Sequence, residues 1–441
     1  MKNHKDNLLR ENNFNLNLAI SFAFIANVVF WISMAFYALL SYGFGKPGLN
    51  GHVFGSLDFY DFYGLMEASG RLEIPWNSTQ FGLNPWVGDS PSPYSSFGLF
   101  LFKTLALFIP NSPQAIINSG VLFTILGVFS LCFPIFDSLK NHFLGLRFLL
   151  AFSIGVLGYP AILGFSRANL AILFVTPIYL IFKYSYNNNR HRRFVIGLSL
   201  LLTSGIKFNY LPIFLLFRSR KDIFQVVFPT IISIISLYLL CFKFFPGDYL
   251  EMLKGHVRGL LSFTSRTEEN QLFFFNTSAL SGVLTGLSIV LGFDSAIVTF
   301  FLKFTFLPGV IYLCIVVVLL ATRKNPRWFI AFLLLSSIQM VPGISYPYGH
   351  TYLVVIIALA ISDPDLINQI QLKKSRLTTF SNGVILIGIA LIYSSDFFWF
   401  TFSEDIATSS KSLTIPLGTV LLLTLALRFP VDQKWKYFKK S

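Results

Sequence analysis

Long apolar runs, each closed by a short polar cluster, set the pattern of this chain. A helix crossing a hydrocarbon core of about 30 Å needs roughly 20 apolar residues, fewer where neighbouring helices shelter polar positions. The pattern predicts twelve crossings, over 17–42, 114–136, 148–163, 167–183, 194–205, 209–217, 223–243, 296–322, 328–343, 351–362, 383–400 and 413–428. The predicted fold class is all-α, a polytopic transmembrane helical protein with eleven to thirteen membrane helices. The pairs around 194–217 and 328–362 are short and read as broken or re-entrant helices, where irregular backbone tends to line a cavity. Two further apolar stretches, 97–109 and 276–292, would spoil the charge alternation as crossings. They are placed as half-helices or interfacial helices on the outer side.

Composition agrees with lipid as the solvent: 54% of the 441 residues are hydrophobic and 12% charged, too little polar material to cover a soluble surface. The net charge of +14 falls in short clusters between apolar runs, which argues for positive-inside topology and against a nucleic-acid face. With the N-terminus inside, the clusters of Lys140/Arg147, Lys183 to Arg193, Arg218 to Lys221, Arg323 to Arg327, Lys373 to Arg376 and both tails share the cytoplasmic face. They hold 23 of the 34 basic residues, against 7 of the 20 acids.

The polar tail 1–16 and the run 17–42 predict a signal anchor, since the run is too long for a signal h-region and lacks a small-residue cleavage site. The second tail, 429–441, is cytoplasmic too. Cys132, Cys241 and Cys314 lie in apolar runs and suggest neither disulfides nor a metal site. With no internal repeat and no linker between soluble parts, residues 1–441 read as a single membrane domain with large outer loops at 45–96 and 244–275.

Candidate chemistry gathers on the outer side. Asp58 and Asp61 are three residues apart just past the first crossing, on one face if helical. A carboxylate in low-dielectric surroundings gains proton affinity and can serve as general base toward a hydroxyl. The alternative is an interfacial acid held by loop amides. Tyr60, Tyr63, Trp76, Asn77, Gln80, Trp86 and Tyr94 offer the stacking faces and hydrogen bonds that sugars use, yet Trp and Tyr also belong at any membrane interface.

Lys207 interrupts a membrane helix and either holds a phosphate anion or snorkels to the outer interface. Arg167 and Asn169, at the outer start of a predicted helix, either bind a phosphate or sugar hydroxyl or anchor the helix end. His350, after Ser345-Tyr346-Pro347-Tyr348-Gly349, either relays a proton, offsets phosphate charge, or is structural. Arg258, Arg266 and Asn276 lie in a stretch that grips a phosphate or acceptor, or is a solvated loop. The sequence carries no nucleotide-binding loop, zinc-protease signature, nucleophile elbow or dinucleotide fingerprint.

In order along 15–360, Asp58-Phe59 with Phe62-Tyr63, Pro93-Tyr94, Arg167 to Asn169, Lys207 with Pro212, Asn276-Thr277-Ser278 and Ser345 to His350 resemble a bacterial family of polytopic glycosyltransferases. These are the GT-C-fold alpha-mannosyltransferases that use polyprenyl-phosphate sugars, glycosyltransferase family 87. The chain departs from the family pattern where Pro93 precedes Tyr94, Arg167 stands near a usual Gly, Phe208 stands where Pro is common, and Tyr346 separates Ser345 from Pro347.

The resemblance implies a GT-C-like fold in the bacterial inner membrane and a site on its periplasmic or extracellular side. It implies transfer of a hexose, mannose foremost, from a polyprenyl-phosphate donor to a lipid-linked or glycan acceptor, with inversion. Asp58 rather than Asp61 would be the base, and His350, Lys207 and an arginine from 167, 258 or 266 would offset phosphate charge. No metal and no cofactor is implied; membrane lipids are partners and nucleic acid is not. The rival readings are a transporter or flippase of a lipid-linked sugar and a non-catalytic membrane assembly subunit.

Overall fold

The computed structural model describes residues 16–32, 94–109, 114–166, 169–185, 191–217, 219–245, 247–269, 306–323, 325–340, 347–363, 376–393, 399–403, 406–409 and 411–425, and residues 35, 284 and 291 singly. Their regular structure is helical except for one short hairpin, so the protein is all-α. The chain divides into two compact units, one from 1–55, 131–163 and 270–441, the other from 56–130 and 164–269.

The second unit starts with α2 (Ser96–Leu105) and the first half of α3 (Ala115–Ser138), α1 being Leu16–Ile32 of the other unit. Pro134 inside α3 has no N–H to give, so the Ser130 carbonyl four residues back loses its helical donor. Thr176 Oγ1 replaces it at 2.8 Å, and the Thr176 amide bonds Ser130 Oγ at 3.2 Å. That exchange fastens α6 (Val175–Ser185) to α3. Next come α7 (Arg192–Ser204), a 3-10 helix over Phe208–Leu216, α8 (Arg220–Phe244) and α9 (Tyr249–Glu269).

Within α8, Pro229 cannot donate to residue 225, and the π segment Ile223–Val227 absorbs the misfit without ending the helix. At the start of α8, Arg192 joins three helix ends. Its Nη2 lies 2.9 Å from the Asp222 carboxylate and donates to the Ser185 carbonyl at 2.9 Å. Ser219 caps α8 by accepting from the Asp222 amide. The basic ends of α6, α7 and α8 are therefore gathered at one end of this unit.

The first unit holds α4 (Leu144–Val156), α10 (Phe306–Thr322), α11 (Arg327–Met340), α12 (Leu353–Ile361), α13 (Arg376–Tyr393) and α14 (Lys411–Thr424), with α5 (Tyr159–Ser166) running out of it. Every residue from Trp328 to Met340 except Ile330, and every residue of α12, is buried, as expected of helices that are apolar on all sides. Two long-range bonds stitch this core: Ser138 Oγ to Ala358 O at 2.9 Å and Tyr393 OH to Ile154 O at 3.0 Å.

Several expectations change. Among the described residues two helices, Ile117–Ser138 and Arg220–Phe244, are long and apolar enough to cross a membrane. The other apolar stretches of helix, counted over the described residues, have 10–17 residues. At 1.5 Å per residue these reach about 15–26 Å, short of the hydrocarbon thickness. The run 383–400 ends as a helix at Tyr393, and Trp399–Ser403 pairs antiparallel with Ile406–Ser409 as β1 and β2. The β-branched and aromatic residues there suit a strand as well as a membrane helix. The outer segment 244–275 is helical over α9 rather than a loop, and the stretch 276–292 lies outside the described residues apart from 284 and 291.

α13 and α14 pack through small residues. A Cβ on Gly418 would stand 2.6 Å from Gly388 O, and one on Gly388 would stand 2.8 Å from Leu422 Cγ. Such backbone proximity is a common device for joining helices in lipid. Gly418→Leu should therefore lower stability by about 1–3 kcal/mol through overpacking. The measurement is the thermal unfolding midpoint in detergent; an unchanged midpoint contradicts the packing.

Candidate functional site

The chain breaks between α7 and the 3-10 helix, and Lys207 sits in the break with extended backbone, φ −126° and ψ 112°. A broken helix leaves carbonyls that need new donors. Ser95, at the head of α2, supplies two: its hydroxyl donates to Gly205 O at 2.5 Å and its amide to Ile206 O at 3.4 Å. The same hydroxyl accepts from the Gly98 amide at 3.0 Å and so caps α2. Ser204 Oγ, also buried here, has no hydrogen-bond partner among the described residues.

This clamp seats Tyr94 beside Lys207, whose ammonium lies 5.0 Å from the Tyr94 ring centroid in a cation–π contact. One residue on, the Phe208 ring meets Tyr238 of α8 at 5.6 Å and His256 of α9 at 5.9 Å, centroid to centroid. Tyr238 OH and His256 Nδ1 are hydrogen-bonded at 2.6 Å, and His256 is fully buried. Ser96 Oγ donates to the Tyr238 carbonyl, tying α2 to α8 at the same level. The unit's second end thus gathers a lysine, a histidine and three aromatic rings around the broken helix.

In the other unit His350 is fully buried in the 3-10 helix Pro347–Tyr352. Its Nδ1 lies 3.3 Å from Tyr352 OH, and Tyr352 is hydrogen-bonded to Thr419 of α14. Thr419 gives its proton to Ile415 O at 2.9 Å. Tyr312 OH and Ser336 Oγ, 2.6 Å apart, add a second polar pair among the apolar helices. Gly349 leaves room for the buried Gln339 amide, because a Cβ there would meet Gln339 Oε1 at 2.0 Å.

Of the residues singled out in the sequence, Lys207 and Tyr94 are brought together, in the unit that also holds Asn169 and Arg258. His350 belongs to the other unit. Asn169 does not open a helix. It is buried in a turn ahead of α6, where its Oδ1 accepts from the Ala171 amide at 3.0 Å, an arrangement that stabilises the turn itself. Arg258 is exposed on α9, and Arg266 lies in the same helix with its side chain outside the described residues. Asp58, Asp61, Tyr63, Arg167 and Asn276 also lie outside them.

The His256–Tyr238 pair was not legible in the sequence. The two residues sit on successive helices with no motif spacing, and the polar composition of 249–269 concealed that it is helical at all. Only the recurrence of Met252, His256 and Gly259 on one face carried a signal. Among the described residues no group of three or more His, Cys, Asp or Glu is placed to hold a metal ion. No family model matches this chain, and neither a curated protein nor a solved structure matches it.

The Ser95 clamp predicts that Ser95→Ala, which leaves a buried carbonyl unsatisfied and uncaps α2, costs about 1–3 kcal/mol of stability. Denaturant or thermal unfolding in detergent checks this, and wild-type stability in the variant contradicts the clamp.

Proposed function

We propose that the protein is a membrane glycosyltransferase of GT-C-like architecture. It transfers a hexose, mannose foremost, from a polyprenyl-phosphate donor to a lipid-linked or glycan acceptor on the non-cytoplasmic face of a bacterial inner membrane. The observation that carries this reading is Lys207 in its broken helix, with the Tyr94 ring against its ammonium. A cation at an interrupted membrane helix suits a phosphate anion, an aromatic face suits a sugar ring, and the buried Ser204 hydroxyl offers a further polar contact.

Two features support a polytopic membrane protein. Large apolar side chains recur outward on single helix faces: Ile117, Val121, Ile125 and Phe129 on α3, and Phe224, Phe228, Ile232, Ile235 and Leu239 on α8. Water does not tolerate stripes of that extent, whereas acyl chains do. The second feature is polarity. The basic ends of α6, α7 and α8 meet at one end of their unit, as positive-inside topology requires of a cytoplasmic face, and Lys207 lies at the far end of α7.

In this proposal the chemistry is an in-line displacement. Asp58 takes the proton from the acceptor hydroxyl, the oxygen attacks the anomeric carbon, and the bond to the polyprenyl-phosphate oxygen breaks with inversion. Lys207 offsets the charge that grows on the departing phosphate, as preorganised electrostatic catalysis requires.

Asp58→Asn should lower sugar transfer about 10²–10⁴-fold, the range for loss of a general base, with membrane insertion unchanged. Lys207→Met should lower kcat about 10²-fold or more. Both are read by release of polyprenyl phosphate from purified protein. Full activity in Asp58→Asn moves the base elsewhere, and full activity in Lys207→Met removes the phosphate role.

A further inference from the structure

α9 begins where a membrane-crossing helix ends. α8 has 25 residues, about 37 Å at 1.5 Å each, so its last turn emerges from a core of about 30 Å. Lys103 Nζ closes that turn, donating to Phe244 O at 2.9 Å and lying 5.2 Å from the Phe245 ring centroid. The chain then turns through Gly247, whose φ of 130° is open to glycine and strained for other residues. Asp248 Oδ1 accepts from the Leu250 and Glu251 amides, each at 3.0 Å, and starts α9.

The helix has two faces. Met252, Gly255, His256 and Gly259 are buried, with His256 bonded to Tyr238. Facing away are Leu250, 61% exposed, Val257, 49% exposed, and the exposed Lys254 and Arg258, with the exposed Glu251 at the edge of this face. Leu250, Lys254, Val257 and Arg258 share about 100° of arc. Large apolar side chains interleaved with cations at i and i+4 fit neither plain solvent nor an apolar partner. They fit the zone where acyl chains give way to phosphates.

We infer that the outward face of α9 lies in the bilayer interface, with Leu250 and Val257 in the acyl boundary and Lys254 and Arg258 holding phosphates of anionic phospholipid headgroups. This rests on the membrane-spanning reading of α8. It also gives the buried face a purpose: through His256, Tyr238 and Phe208, α9 keeps the Lys207 break at headgroup depth, the level at which a lipid-borne phosphate is presented.

The test uses the full chain in nanodiscs, with Cys132, Cys241 and Cys314 replaced by alanine and one new cysteine carrying an environment-sensitive fluorophore. Ile232→Cys, exposed halfway along α8, reports on spanning, and Val257→Cys reports on α9. Ile232 should be quenched by a spin label deep in the acyl chains, and Val257 about threefold more by a headgroup-proximal label than by the deep one. In otherwise native protein, native mass spectrometry should show fewer retained anionic phospholipids in Lys254→Ala/Arg258→Ala than in wild type.

Deep quenching at Ile232 with Val257 quenched by aqueous iodide alone puts the α9 face in water and overturns the inference while leaving the spanning reading intact. Quenching at Val257 by neither lipid nor iodide means that protein covers the face, which also overturns it. Absence of lipid quenching at Ile232 removes the spanning reading and the inference with it. Equal anionic-lipid retention in the double variant overturns the role of the two cations.

Discussion

The hydroxyl of Ser95 is the contact on which the second unit turns. It accepts from the first turn of α2 and donates to a carbonyl that the end of α7 leaves open. A buried carbonyl freed by a helix break needs a donor from the protein. Because Ser95 supplies it, α7 stops at Ser204, Lys207 takes extended backbone after a turn, and Tyr94 is set against the ammonium. Ser96 extends the clamp to the Tyr238 carbonyl, and Tyr238 in turn holds His256. Four elements distant in sequence thus meet at one backbone defect.

The same rule is met differently elsewhere. The carbonyl freed by Pro134 takes Thr176, Pro229 is absorbed by a π turn, and the last carbonyl of α8 takes Lys103. Each substitute is a side chain from another helix or a local change of helical pitch. In the first unit the logic is inverted. Polar side chains rather than backbone are buried, and His350, Tyr352 and Thr419 satisfy one another among apolar helices. Buried networks of that kind are costly when incomplete and rigid when complete.

What the sequence disclosed followed from how strongly each feature perturbs a helix. The interruption at Lys207 was legible because Gly205, a charge and Pro212 fall within eight residues of one apolar run. The helices at 115–138, 192–204 and 220–244 were legible because apolar length and flanking charge agree. The hairpin after Tyr393 was not, since Trp, Phe, Thr and Ile serve strand and membrane helix alike. α9 was hidden by its near-even mixture of polar and apolar residues, and with it the His256–Tyr238 pair. Asn169 resembled a helix-opening residue because turn and cap use the same side-chain oxygen; the i+2 amide it bonds belongs to a turn.

The proposed substrate of the Lys207 break is a lipid-linked sugar phosphate. The most direct test incubates purified wild-type protein with a panel of polyprenyl-phosphate sugars and, in parallel, nucleotide sugars, following donor consumption by mass spectrometry. The expected result is consumption of one polyprenyl-phosphate hexose, mannose foremost, with release of polyprenyl phosphate and no use of nucleotide sugars. Consumption of a nucleotide sugar alone, or intact donors throughout the panel in the presence of glycan and glycolipid acceptors, would contradict it.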